Sequence, residues 1–119
     1  HGEVVIPKEP NGVKFEMFVF DALPLAKNPV IIEAARADDF SPVKNAKGVD
    51  SPQSSKEDQL RMFARWLKAA GESIETDSSG LPAINFEISP RFAADEADFV
   101  SQWATLDPKT EIKDGAVIQ

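Results

Sequence analysis

Lys44 is the residue whose type and surroundings could most directly support chemistry. It lies in a polar stretch with Ser41, Pro42, Asn45 and Gly48. A lone ammonium group in such a loop can act as a point charge on a phosphate. A solvated surface lysine is the alternative, and composition alone favours that alternative.

Phe18 and Phe20 form a second candidate, because they are two aromatic residues separated by a single position. If one ring faces a cleft, it could pack against a pyranose ring or an acetyl methyl group. Most phenylalanines instead fill a hydrophobic core. From the residues alone, the core is the favoured interpretation of both.

Most of the common catalytic and metal-binding residue sets are absent from the sequence. There is no cysteine, and His1 is the one histidine, so a Ser-His-Asp triad is not expected. The glycines match neither common phosphate-binding motif. A metal could use only carboxylates, carbonyls and water. Asp38 and Asp39 are adjacent acids of that kind, but solvated charges are favoured, and we predict no metal site.

Composition limits the class of protein further. The 119 residues carry 13 Lys and Arg against 20 Asp and Glu, for a net charge of −7. Binding to a phosphate backbone needs clustered cations, so no nucleic-acid partner is expected. No apolar run approaches the roughly 18 residues that span a bilayer, so no membrane association is expected. The lack of cysteine gives a reducing cytoplasm as the default location.

The clearest predicted element is a helix that follows Ser51 and Pro52. The serine is a capping residue and the proline suits a first helical turn. Gly71 supplies the left-handed stop. Between them, apolar residues recur at helical spacing: Leu60, Phe63, Leu67 and Ala70, widened by Trp66.

Other elements follow from apolar periodicity and turn residues. A helix over 14–28, kinked at Pro24, is predicted from apolar steps of three and four. The β-branched runs 4–6 and 30–32 predict strands, the second buried on both faces as in a parallel or mixed sheet. Residues 36–48 are expected to form a loop. Further on, we expect a short strand over 83–88, a helix over 95–103 and a last strand in the tail.

Five sequence blocks together resemble the carboxyl-terminal third of the UDP-N-acetylglucosamine pyrophosphorylase family. The similarity is dense from about residue 10 to 48, patchy to residue 90 and faint beyond it. The blocks are Pro10-Asn11-Gly12-Val13-Lys14 with Glu16, Phe18-Val19-Phe20-Asp21, Asp39-Phe40-Ser41-Pro42-Val43-Lys44-Asn45-Ala46, Leu81-Pro82-Ala83-Ile84 and Glu87-Ile88-Ser89-Pro90.

The resemblance implies a uridylyltransferase that joins UTP to a sugar 1-phosphate and releases pyrophosphate, assisted by Mg²⁺. N-acetylglucosamine 1-phosphate is the favoured sugar substrate, and glucose 1-phosphate is possible. The implied fold is α/β: the carboxyl-terminal part of a doubly wound nucleotidyltransferase domain over 1–90, followed by a short β-containing remnant of a small carboxyl-terminal domain over 91–119.

The resemblance also implies roles for the candidate residues. Phe18 and Phe20 would line the sugar pocket, and Lys44 would lie near the phosphates as the catalytic residue. A sugar phosphate oxygen attacks the α-phosphorus of UTP, and charge accumulates on the bridging and leaving oxygens. A fixed cation stabilises that charge more in the transition state than in the ground state. Lys44 would thus act electrostatically and carry no proton.

Several parts of the family's site lie upstream of the segment that these residues match. They include the glycine-rich loop, the uracil-reading residues and, we expect, most of the Mg²⁺ ligands. The chain is therefore expected to be a fragment, inactive alone, that needs an upstream segment of the same protein. Its shortened carboxyl-terminal part suggests a bacterial member. The alternative is a non-catalytic binding or interaction module that retains part of the fold.

Overall fold

The computed structural model describes residues 2–119, and His1 lies outside the described residues. The chain divides into two compact units, residues 2–33 and residues 34–119. The first contains one 3-10 helix, Val19–Leu25. The second contains α1 (Arg36–Asp39), α2 (Pro52–Ala69), β1 (Phe86–Ile88), α3 (Glu96–Thr105) and β2 (Ala116–Ile118).

The core of the second unit is aromatic. α2 contributes Phe63 and Trp66, whose ring centroids are 5.5 Å apart, and Trp66 lies 6.0 Å from Phe99 of α3. Phe99 stacks in turn on Trp103 at 5.5 Å. Because such pairs add to the free energy gained by removing apolar area from water, they hold α2 and α3 together. The predicted stripe of α2 is confirmed as a buried face.

The ends of α2 form as the sequence predicts. Ser51 caps the helix, with its Oγ accepting the N–H of Ser54 at 3.2 Å, and Pro52 is the first helical residue. The helix ends at Ala69, and Gly71 follows with a φ of +84°. A residue with a Cβ is strained in that conformation, so glycine suits the stop.

The two strands form a small parallel sheet in which Phe86 pairs with Ala116, Glu87 with Val117 and Ile88 with Ile118. Phe86 and Ile88 are buried and Glu87 between them is exposed, as expected for alternate faces of a strand. The predicted strands near 83–88 and in the tail are confirmed, as is the helix near 95–103. The second unit is thus mixed α/β, while the doubly wound fold and the boundary at residue 90 stay predictions for a longer protein.

The predictions for the first unit are wrong. The expected helix over 14–28 is reduced to the 3-10 helix Val19–Leu25, which contains Pro24, and the expected strands over 4–6 and 30–32 do not form. No residue of 2–33 is buried. An amphipathic helix gains most of its stability by burying its apolar face, and a strand needs a partner strand. Within residues 2–33 no other helix or strand forms that could supply such a partner.

The residues of the second unit that precede α2 are mostly loop, as predicted, apart from the four-residue α1. No helix in the described part of the chain is both long enough and apolar enough to cross a membrane.

Candidate active site

Lys44 lies in the loop that joins α1 to α2, which we call the Lys44 loop and define as residues 41–51. The backbone N–H groups of Lys44 and Asn45 both donate to the carbonyl oxygen of Asp50, at 2.7 and 2.9 Å. The side-chain amide of Asn45 donates to the carbonyl of Val49 at 2.8 Å. Hydrogen bonds within the loop therefore fix its shape, and the amide of Asn45 serves this structure.

One end of the Lys44 loop is fixed by Ser51, which is 1% exposed. Its hydroxyl donates to the carbonyl of Gly48 at 2.6 Å and accepts the N–H of Ser54 at 3.2 Å. The Ser51 N–H donates to the hydroxyl of Ser54 at 2.9 Å. One buried side chain thus caps α2 and holds the last turn of the loop.

The other end of the Lys44 loop is fixed to the body of α2. The hydroxyl of Ser41 donates to a carboxylate oxygen of Asp58 at 2.7 Å. The hydroxyl of Ser55 donates to the carbonyl of Ser41 at 3.2 Å. Asp58 also receives the guanidinium of Arg61 at 3.0 Å, which fixes the orientation of the carboxylate. Both ends of the loop are therefore attached to one rigid helix.

The Lys44 side chain is exposed, and within residues 34–119 its ammonium forms no ion pair with a carboxylate. Its positive charge is consequently free to meet an anion. The fixed backbone beneath the side chain limits the positions that the ammonium can reach. The role of Lys44 itself stays a prediction.

Phe18 and Phe20 lie in the other unit, where Phe18 precedes the 3-10 helix and donates its N–H to the carboxylate of Asp21 at 3.2 Å. Their ring centroids are 6.1 Å apart with planes 23° from parallel. They are 56% and 66% exposed, so neither ring fills a core in the described chain. The structure brings the two rings together as one aromatic surface, and their place beside a sugar stays a prediction.

Sequence reasoning missed three residues that shape the Lys44 loop. Asp58 and Ser55 are distant in sequence from Ser41, so no local pattern indicates their bonds to it. Asp50 has a φ of +55°, and Asp is among the few residues that adopt this left-handed conformation readily. The aspartate just before the capping serine was therefore the one local signal for this left-handed turn of the loop.

A cavity of about 500 Å³ lies next to the start of the Lys44 loop, bordered by Ser41. Apolar side chains of α2 and β1, including Met62, Trp66 and Ile88, form much of its lining. Acidic residues complete that lining, namely Asp38, Asp39, Asp58 and Glu87. Since carboxylates repel phosphates, this cavity is unsuited to a phosphate group.

The described residues do not form a metal site. Among residues 2–119, no three acidic or histidine side chains come close enough together to share a metal ion. Asp38 is paired instead with the guanidinium of Arg65. The Mg²⁺ implied by the family resemblance has no set of three such ligands among the described residues.

Comparison with known proteins finds relatives that match most of the chain. The chain is 36% identical over 105 residues to UDP-N-acetylglucosamine diphosphorylase 2 of Arabidopsis thaliana, covering 85% of the chain. It is 38% identical over 86 residues, 70% of the chain, to UDP-N-acetylhexosamine pyrophosphorylase-like protein 1 of Homo sapiens. The chain is homologous to one part of the UDP-N-acetylglucosamine pyrophosphorylases. A Saccharomyces cerevisiae UDP-N-acetylglucosamine pyrophosphorylase is also 39% identical over 79 residues, 62% of the chain.

The chain spans about a fifth of the length of the curated pyrophosphorylases that it matches, with shares of 21%, 17% and 16% for these three. No protein-family model matches the chain, and no solved structure matches it. The relatives confirm the resemblance drawn from the five sequence blocks and do not favour a non-catalytic module. The expected bacterial origin and fragment status stay predictions.

Proposed function

We propose that this chain supplies part of a uridylyltransferase that forms a UDP-sugar and pyrophosphate from UTP and a sugar 1-phosphate. The observation that carries the proposal is the similarity to UDP-N-acetylglucosamine diphosphorylase 2, which extends over 85% of the chain. The names of the relatives favour N-acetylglucosamine 1-phosphate as the sugar substrate. Glucose 1-phosphate is the second candidate.

Within this function, Lys44 acts as an electrostatic clamp. A phosphate oxygen of the sugar 1-phosphate attacks the α-phosphorus of UTP, the bond from that phosphorus to the bridging oxygen breaks, and pyrophosphate leaves with the electron pair. The ammonium stabilises the charge that develops on the phosphate oxygens. What supports this role is a charge free of ion pairs within residues 34–119, carried by a loop attached to α2 at Ser41 and Ser51.

Phe18 and Phe20 supply the apolar wall of the sugar pocket in this proposal. Their rings stack with centroids 6.1 Å apart and leave more than half of each side chain exposed. Such a surface can pack against the apolar face of a pyranose or against the methyl of an N-acetyl group. An N-acetylated sugar gains more from it than glucose does, because glucose lacks the methyl group.

The remaining parts of the enzyme come from an upstream segment of the same protein, which binds UTP and Mg²⁺. Two observations support this part of the proposal. The relatives are about five times as long as the matched region, and residues 2–33 expose a dense set of apolar side chains that includes Val5, Phe15, Met17 and Ile31. In the longer protein, residues 1–90 would complete a doubly wound catalytic domain, and 91–119 would belong to a small carboxyl-terminal domain. The cytoplasmic location and the lack of a nucleic-acid partner stay predictions from composition.

The test uses a longer protein that contains these 119 residues together with an upstream nucleotidyltransferase segment. Pyrophosphate release is measured with UTP and N-acetylglucosamine 1-phosphate, and then with glucose 1-phosphate. We expect turnover by the longer protein, faster with the N-acetylated sugar, and no turnover by the 119 residues alone. Pyrophosphate formation by the 119 residues alone, or no turnover of any sugar 1-phosphate by the longer protein, would overturn the proposal.

A further inference from the structure

Asp50 has a left-handed backbone conformation, which aspartate adopts more readily than most residues. Among residues 2–119 it is the one non-glycine residue with a positive φ, at +55°. Within residues 34–119 its carboxylate forms no hydrogen bond and no ion pair, so its own side chain does not hold it in this conformation. A left-handed residue persists when the surrounding structure over-determines it, and the cause must therefore lie in the backbone around Asp50.

The carbonyl oxygen of Asp50 is the acceptor that closes the Lys44 loop. It receives the N–H of Lys44 at 2.7 Å and the N–H of Asn45 at 2.9 Å. Two consecutive N–H groups converge on this one oxygen, so a rotation about the backbone of Asp50 would break both bonds at once. The backbone direction from which the Lys44 side chain emerges depends on that single carbonyl.

The other side of Asp50 cannot move to absorb such a rotation. Its neighbour Ser51 is buried and is held by three hydrogen bonds: its hydroxyl donates to the carbonyl of Gly48 and accepts the N–H of Ser54, and its own N–H donates to the hydroxyl of Ser54. Asp50 is thus the residue that joins the hydrogen-bonded part of the Lys44 loop to the cap of α2. A change in the φ of Asp50 would therefore have to be absorbed by the loop residues before it, at the expense of the bonds from Lys44 and Asn45.

We infer that Asp50 is a positioning residue for Lys44: its left-handed backbone aims a carbonyl that fixes the loop carrying the ammonium. The catalytic consequence of this inference rests on the proposed function. The structural part stands on the loop geometry. Because the carboxylate is unused within residues 34–119, the identity of residue 50 matters through the backbone conformations it allows.

Substitutions at position 50 separate the backbone from the carboxylate. Asn and Gly adopt the left-handed region readily, whereas a β-branched residue there is strongly disfavoured. Asp50→Asn and Asp50→Gly should therefore retain the loop, and Asp50→Val should open it. Asp50→Ala should also open the loop, but to a smaller extent, and it keeps the test decisive if the valine variant folds poorly.

The experiment measures amide hydrogen exchange in the full 119-residue chain by NMR, with thermal melting as a check on the core. We expect the amides of Lys44 and Asn45 to exchange about tenfold faster in Asp50→Val than in the unaltered chain, because a branched residue is penalised in the left-handed conformation. Asp50→Ala should accelerate the exchange of the same amides by a smaller factor. The asparagine and glycine variants should match the unaltered chain. Unchanged exchange in both Asp50→Val and Asp50→Ala, or equal acceleration in Asp50→Asn, overturns the inference.

A second readout links the loop to the reaction. In the longer protein, Asp50→Val should lower kcat about tenfold with little change in the KM for UTP, and Asp50→Asn should restore kcat. A kcat unaffected by Asp50→Val contradicts the positioning role. If the unaltered longer protein is inactive, the proposed function fails, whereas the exchange result still decides whether Asp50 controls the loop.

Discussion

Trp103 donates its indole Nε1–H to a carboxylate oxygen of Glu72 at 2.9 Å. The same oxygen receives the ammonium of Lys109 at 2.6 Å, and that ammonium lies 5.5 Å from the centroid of the Trp103 ring. Trp103 is 1% exposed, and a buried indole needs a partner for its N–H. Glu72 therefore connects the end of α2 to α3 and to the segment that follows α3.

This contact makes the stability of the second unit depend on pH. The hydrogen bond from Lys109, followed by the one from Trp103, lowers the pKa of Glu72 below its ordinary value of 4.5. A carboxyl whose folded pKa is depressed stabilises the folded state above the unfolded pKa, and this stability is lost as the pH falls through the folded pKa. Glu72→Gln should thus lower the melting temperature at neutral pH, and by progressively less below about pH 4.5.

The matched control for this prediction is Glu75→Gln. Glu75 is exposed, and within residues 34–119 it forms no ion pair, so its substitution should leave the melting curve nearly unchanged. Melting of the three proteins is followed by tryptophan fluorescence from neutral to acidic pH. A difference between Glu72→Gln and the unaltered chain that does not shrink on acidification would contradict the assigned role of Glu72.

Ser51→Ala should destabilise the second unit by about 1–2 kcal/mol, the usual effect of removing a serine cap. The substitution also leaves the carbonyl of Gly48 without the hydroxyl that it accepts at 2.6 Å. Ser101→Ala, on the exposed face of α3, should change stability by less than about 0.5 kcal/mol. Urea denaturation measures both variants. Equal midpoints for the two would show that Ser51 does not secure the helix and loop.

Ile31→Ala should have a small effect on stability in the 119-residue chain and a large effect in the longer protein. In the 119-residue chain Ile31 is 92% exposed, so its truncation should change the unfolding free energy by less than about 0.5 kcal/mol. In the longer protein, burial of the same side chain would raise the cost to about 2–5 kcal/mol. Thermal melting of both proteins makes the comparison, with Leu67→Ala as the variant that destabilises both, since Leu67 is fully buried. A small effect in both contexts would mean that nothing upstream covers residues 2–33.

The second unit could be predicted because its signals are local. Ser51, Pro52 and Gly71 mark the ends of α2, and its apolar stripe needs only α3 and β1 of the same unit to be buried. The pairing of Phe86 with Ala116 could not be read from the sequence, since each strand is three residues long and no pattern names its partner.

The predictions for the first unit failed because its elements depend on partners that local sequence does not reveal. Its apolar residues satisfy helix and strand patterns, but periodicity indicates only that a face can be buried, not that a partner is present. Within the candidate site, residue type made Lys44 a candidate, but its role came from the family resemblance and stays a prediction. The bonds from Ser41 to Asp58 and from Lys44 to Asp50 join residues through tertiary geometry, which local sequence does not encode.

The most direct test of the account compares Lys44→Ala with Lys47→Ala in the longer protein, at matched thermal stability. Both lysines are exposed in the same loop, and both substitutions remove one positive charge. With UTP and N-acetylglucosamine 1-phosphate, we expect kcat/KM to fall by about 10²–10³ for Lys44→Ala, as when an electrostatic contact to the transition state is lost. For Lys47→Ala it should stay within about twofold of the unaltered enzyme. A Lys44→Ala enzyme as fast as its Lys47→Ala counterpart would contradict the central claim that the Lys44 ammonium acts on the transferring phosphate.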